Sequence, residues 1–189
     1  VGPEMCIRDS TGVVRLLVSK GAVLDMATPA GDTPWNLADG WHHEETAGEL
    51  AAAGASASPP KFPILKGKYL GQKPPGIVPE LFAPGIASTC DSEHGCITFS
   101  PDGAEAYWST SFMLKDTGYS TGSIMGTRVE DGRWTKPRFM SFSEAGEYDG
   151  DVPFLAPGGR TLYFISRRPL EGDGERSPER IWYVERSGN

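Results

Sequence analysis

Phe99-Ser100-Pro101-Asp102-Gly103 and Leu155-Ala156-Pro157-Gly158-Gly159 are two copies of one turn, set 56 residues apart. In the first copy Ser100 to Gly103 carries Pro at the second position and Gly at the fourth, the chemistry of a tight turn. Short apolar runs flank it on both sides. Cys96 to Phe99 and Ala104 to Thr110 read as strands, Ser123 to Val129 as a third, and Asp131-Gly132 turns the chain into Arg133-Trp134-Thr135-Lys136-Pro137. The second copy repeats the order, with Val152 to Leu155, then Thr161 to Ser166 and, after a charged loop, Ile181 to Arg186. Tyr107-Trp108 is answered by Tyr163-Phe164, and Ile124 by Ile181 at a spacing of 57. A fixed period of this length marks repeat architectures, in which one unit cannot bury its own apolar face.

Four short strands per unit, the Ser-Pro-Asp-Gly turn and the aromatic pair in the strand after it resemble the TolB-type, WD-repeat-like β-propeller repeat. The resemblance covers Ser92 to Asn189, and the second copy has lost the Asp of the turn. It implies an incomplete propeller of about two blades over 89–189, too few to close a ring of four to eight. The expectation is therefore a piece of a longer bacterial protein, with Leu162, Phe164, Ile181 and Tyr183 partly facing an absent third blade. Residues beside the innermost strand can line a propeller's channel. The resemblance thus implies a rim made of Glu93 and His94 in the first copy, with Asp149 and Gly150 standing in their places in the second and Asp151 following. Hydrogen-bonded residues of an ordinary rim are the plainer reading of the same positions. Propellers of this type are commonly exported, which points to the periplasm.

A second period lies nearer the start, where Gly21-Ala22 recurs as Gly54-Ala55 after 33 residues. Val13, Leu16 and Leu17 share one face of a predicted helix that Gly21 closes in a left-handed C′ position. Thr33-Pro34 opens the next helix as N-cap and first helical residue. A further helix over about Glu44 to Ala53 presents Ala47, Leu50 and Ala51 and stops at Gly54. Gly31, Thr33, Pro34, Leu37, Ala38, Leu50, Gly54 and Ala55 together resemble the ankyrin repeat, which implies two antiparallel helices with Leu37 and Leu50 buried between them. Trp35-Asn36 departs from the family's usual Leu-His, and the Ala- and Gly-rich second helix suits a terminal repeat on which nothing stacks. Met5-Cys6-Ile7-Arg8-Asp9-Ser10 fits no part of this pattern and resembles a translated cloning adapter, so 1–10 is read as a non-native leader.

The sequence therefore predicts an α+β chain of two modules. An ankyrin-like helix-turn-helix unit occupies 11–57, a Pro-rich linker 58–88 packs on the next domain, and a partial all-β propeller follows. Seven prolines between Ser56 and Gly85 favour extended segments, while Phe62, Ile64, Leu65, Tyr69, Leu70, Leu81 and Phe82 are too apolar for a free tether. The whole chain holds 24 Gly and 16 Pro, about a fifth of its residues, which favours turns and short strands. Its net charge of −7 and lack of a basic stripe argue against nucleic acid as partner. No apolar run reaches the length of a membrane span. Three cysteines, Cys6, Cys90 and Cys96, are too few for a disulfide scaffold and wrongly spaced for a zinc ribbon. A Cys90–Cys96 bridge and two free thiols both remain open.

Motifs with catalytic spelling read better as structure. Gly118-Tyr119-Ser120-Thr121-Gly122 has the G-x-S-x-G form of a nucleophile elbow, but a strand pattern follows it and no His lies beyond residue 94. His42-His43-Glu44-Glu45 falls in the turn between the two helices. Asp149-Gly150-Asp151 and Asp173-Gly174-Glu175 lack calcium-loop spacing. Trp108, Trp134 and Trp182 read as core aromatics. No cofactor is implied. The expected function is recognition of a protein partner or small ligand by assembled repeats, without catalysis. The alternative is an accessory propeller region of a hydrolase whose catalytic domain lies elsewhere.

Overall fold

The computed structural model describes residues 10–40, 43–58, 62–89, 92–113, 120–143, 149–170 and 177–186. The content is mixed α+β, with three α-helices and two antiparallel sheets, and strand predominates. No closed barrel forms among the described residues. The chain divides into two compact units, Val1–Pro63 with Pro84–Ile86, and Ile64–Ala83 with Ala87–Asn189.

The first unit holds α1 (Thr11–Ser19), α2 (Pro34–Gly40) and α3 (Glu44–Ala52). Ser10 caps α1 by accepting a hydrogen bond from the Val13 N–H. Thr33 and Asn36 form a reciprocal cap on α2: the Thr33 hydroxyl accepts from Asn36 N–H at 3.3 Å and the Asn36 carbonyl accepts from Thr33 N–H at 3.0 Å. Gly21 and Gly54 both take positive φ, 78° and 97°, and Ala22 and Ala55 donate back to Leu17 and Leu50. The doubled Gly-Ala is thus a doubled helix stop, in which only glycine enters the left-handed region without strain.

Two expectations for this unit need correction. The buried face of α1 runs through Val14, with Val18 against the same cluster, while Val13 and Leu16 are exposed. The i, i+3, i+4 stripe is one residue out of phase with the expected one, because Val14 packs with Ala38, Ala47, Leu50 and Ala55. Leu50 is buried as expected. Leu37 is only half-buried, and Ala38 takes its place in the core, where a methyl lets helices approach closely.

The second unit is two meanders. Strands β1 (Ser92–Phe99), β2 (Glu105–Met113), β3 (Ser120–Glu130) and β4 (Arg133–Trp134) pair in sequence, and β5 (Arg138–Phe139) also pairs with β3. Strands β6 (Asp151–Leu155), β7 (Thr161–Ser166) and β8 (Arg180–Glu185) form the second sheet in the same up-and-down order. The Ser100–Gly103 turn closes through Gly103 N–H to Ser100 carbonyl at 2.8 Å, and Gly159 N–H to Ala156 carbonyl repeats it at 2.8 Å. The Asp102 carboxylate accepts from the Ser100 hydroxyl and the Ala104 N–H. Both bonds favour its charged form, so its pKa lies below the ordinary carboxylate value.

The sheets pack face to face. Leu155 N–H donates to the Thr98 hydroxyl at 3.2 Å, Gly150 N–H to the Gly122 carbonyl at 3.0 Å, and the Ser109 hydroxyl to Asp151. The face of the first sheet that carries Thr98, Tyr107, Ser109 and Ile124 is therefore the one the second sheet covers. On its other face Phe99 meets Tyr69 and Phe82 edge-on, at 5.1 and 6.0 Å. Trp134 is buried and donates its indole N–H to the Gly67 carbonyl at 2.7 Å.

In the second sheet Phe164 is 2 % exposed and Leu162 is buried, whereas Ile181 and Tyr183 are 77 % and 64 % exposed. The four residues expected to lie on one open face lie on two. The register explains it: Phe164 pairs with Trp182, Leu162 with Val184, and Tyr163 with Tyr183. With a side-chain period of two, Leu162, Phe164, Trp182 and Val184 share the closed side, and Tyr163, Ile181 and Tyr183 the open one.

Candidate functional site

The rim residues expected from the repeat pattern are placed by β1, β6 and the loops before them. Both strands carry a bulge, between His94 and Thr98 and between Asp151 and Phe154. The first bulge is one residue longer, which changes the correspondence between copies. His94 pairs with Ser109, and Asp151 pairs with Ile165, which stands 56 residues after Ser109. Asp151, and not Gly150, is therefore the structural counterpart of His94. Gly95 and Val152, 57 residues apart as Asp151 is from His94, are the two bulge residues with positive φ, 73° and 49°.

The rim carboxylates are engaged in holding the fold. Glu93 accepts from the Thr89 N–H at 2.9 Å and hydroxyl at 2.7 Å. Asp151 ties the second sheet to Ser109 of the first. Asp149 accepts from the Arg167 N–H at 2.7 Å and sits 3.4 Å from its guanidinium, which also pairs with Glu179. Its own carbonyl accepts from the Ser166 hydroxyl at 2.5 Å. Glu93, Asp149 and Asp151 thus each hold a separate partner, Thr89, Arg167 and Ser109, and no group of three or more metal-ligating side chains occurs among the described residues.

The other candidates resolve simply. Ser120 and Gly122 lie within β3, so the residues after the serine continue as strand where an elbow needs a helix. Gly118, Tyr119 and the Asp173-Gly174-Glu175 loop lie outside the described residues, as do His42, Cys6 and Cys90. Cys96 is an exposed free thiol. Glu44 and Glu45 begin α3, where two carboxylates favour the positive helix end. Trp108 and Trp134 are buried, and the Arg168 guanidinium lies over the paired rings of Trp182 and Phe164, at 5.4 and 5.0 Å.

A site the sequence reading missed is a cleft of about 540 Å³ lined by Glu105, Tyr107, Arg128, Lys136, Arg138 and Arg186 among others. Strand β2 supplies Glu105 and Tyr107, β3 supplies Arg128, the β4–β5 connection and β5 supply Lys136 and Arg138, and Arg186 follows β8. Gly126 forms the floor: a Cβ there would fall 2.5 Å from the Met140 sulfur and 3.1 Å from the Tyr107 ring. Glu105 accepts from the Tyr107 hydroxyl at 3.0 Å and from Arg186. Burial, then the neighbouring Glu105 charge, raise the Tyr107 pKa, so the phenol stays protonated. Burial opposes the charge on Arg186, but Glu105 and Tyr107 outweigh it and raise its pKa as well. Its residues are scattered over 82 positions, so no linear motif signals the cleft; only the sheet pairing assembles it.

No helix among the described residues is long and apolar enough to cross a membrane. Compared with protein-family models, curated proteins and solved structures, the chain matches none.

Proposed function

We propose that this chain is a repeat-built recognition module: an ankyrin-type terminal unit followed by two blades of a TolB-type propeller. Its task is to bind a protein partner or small ligand through assembled repeats, and none of its residues is assigned a catalytic role. One observation supports the reading most strongly. On the face of the first sheet that packs toward the second, Ile124 and Gly126 are buried and Thr98 and Tyr107 half-buried, and the residues 56 or 57 positions later are Phe154, Tyr163, Ile181 and Tyr183. Those four are exposed. An equivalent face that is closed in one copy and open in the next is what a repeat leaves at the point where another unit stacks. A contiguous apolar face of this kind drives association.

Sedimentation velocity of the 189-residue chain at micromolar concentration tests this. The expected result is self-association that Ile181→Lys with Tyr183→Lys strongly reduces. A monomer with a sharp cooperative melt would mean that the two-sheet unit is self-sufficient, and the propeller reading would fall.

A further inference from the structure

The stretch from Ile64 to Leu81 in the second unit joins positive charge to exposed aliphatic side chains. Lys66, Lys68 and Lys73 stand in a run with no Asp or Glu between Glu49 and Glu80, although the whole chain is −7. All three are exposed and make no ion pair among the described residues. Just beyond them Pro74-Pro75-Gly76-Ile77-Val78-Pro79 is exposed along its whole length, Ile77 fully so, and Leu81 is exposed after it. This tip stands on a fixed base. Tyr69 and Phe82, on either side of it in sequence, both meet the Phe99 ring edge-on. Before the tip the chain folds back on itself, with Gly71 N–H donating to the Lys68 carbonyl at 3.0 Å. Trp134 holds that turn through its backbone N–H to the Leu65 carbonyl at 3.0 Å and its indole N–H to the Gly67 carbonyl. A loop pinned at both ends that presents aliphatic side chains to water marks an interaction surface.

We infer that this loop docks the chain on an anionic lipid surface. Ile77, Val78 and Leu81 enter the boundary between headgroups and acyl chains, and Lys66, Lys68 and Lys73 meet the lipid phosphates. The chemistry favours lipid over a groove on a protein. Backbone taken into an apolar layer must leave no donor unpaired, and Pro74, Pro75 and Pro79 have no N–H to pair, so half of the six-residue tip enters without that cost. Lysine stems can lie along the apolar boundary while their ammonium groups stay among the headgroups. A compact charge also suits phosphates that are presented in no fixed geometry. The acidic remainder of the chain is repelled by such a surface, so its field turns this loop toward the lipid. Glu80, exposed at the edge of the tip, opposes the attraction. The loop precedes both sheets in the chain, and the inference does not require the propeller reading.

Co-flotation of the 189-residue chain with vesicles of phosphatidylglycerol and phosphatidylcholine, against phosphatidylcholine alone, tests it. Lipid-bound chain rises in a density gradient, whereas self-associated chain sinks. The expected result is flotation with the anionic vesicles at low ionic strength, weakening as salt rises toward physiological strength. Each lysine near such a surface strengthens partitioning about fivefold. Lys66→Gln, Lys68→Gln and Lys73→Gln together should therefore weaken it about a hundredfold. Ile77→Ser, Val78→Ser and Leu81→Ser together should weaken it about tenfold or more. Glu80→Gln should strengthen it, and Lys20→Gln, outside the loop, should change nothing. The substituted side chains are exposed, so both triple variants should keep the parent's melt, which circular dichroism verifies. Equal flotation with neutral and anionic vesicles, or flotation that both folded triple variants retain, overturns the inference. So does a chain that floats with neither vesicle, which would assign the tip to an apolar groove on a protein instead.

Discussion

Replacing Phe164 and Ile181 separately by alanine tests which face of the second sheet is closed. They sit one register position from being neighbours, since Ile181 pairs with Ile165 and Phe164 with Trp182. Phe164 is 2 % exposed, stacks on Phe142 at 5.4 Å and lies beneath Arg168. A buried Phe→Ala change costs about 3–5 kcal/mol in lost transfer energy and residual cavity, from a total stability of about 5–15 kcal/mol for a domain. Ile181 is 77 % exposed, and surface changes stay within about 0.5 kcal/mol. With a urea m-value of about 2 kcal/mol per molar, Phe164→Ala should lower the midpoint by about 2 M and Ile181→Ala by less than about 0.3 M. Urea titration followed by tryptophan fluorescence, at submicromolar chain to suppress association, measures both. Equal shifts, or a larger one for Ile181→Ala, would refute the register and with it the assignment of the open face.

Val152 is a β-branched residue at φ 49° in the β6 bulge, where its counterpart in β1 is Gly95. Such strain costs about 1–3 kcal/mol, so Val152→Gly should leave the melting temperature unchanged or raise it, whereas Val184→Gly in regular β8 should lower it by several degrees; equal losses would refute the strain. The Asp102 pKa is depressed by Ser100 and Ala104. Its contribution is therefore present above the unfolded value near 3.8 and lost as pH falls through the folded one. Asp102→Asn should narrow the gap in melting temperature between pH 7 and pH 3, and an unaltered gap would sink this account of the turn.

Local chemistry was readable from residues alone. The two turns, both helix stops and the Thr33 cap each depend on a few adjacent side chains and on glycine's access to positive φ, and these signals survive any tertiary context. The mixed α+β content weighted to strand follows from the same punctuation. Phase was harder. Val13, Leu16 and Leu17 form as good an apolar stripe on paper as Val14 and Val18 do in the folded unit, because a helix with aliphatic residues at 13, 14, 16, 17 and 18 has no single apolar face until a partner selects one. Strand faces failed for the same reason: Leu162, Phe164, Ile181 and Tyr183 are all apolar, and only cross-strand pairing sorts them into two sides.

The rim and the cleft divide along this line. A constant spacing aligned Glu93 and His94 with Asp149 and Gly150, but the longer bulge in β1 moves the counterpart of His94 to Asp151, since bulge length is a property of the ladder and not of the spacing. Glu105 in β2, Arg138 in β5 and Arg186 just after β8 carry no shared motif. The sequence by itself determined where the chain turns, caps and repeats, because those choices are made within a few residues. The tertiary structure alone decided which faces close, which carboxylates are consumed and where the cations meet, because those depend on distances between strands that no local pattern encodes.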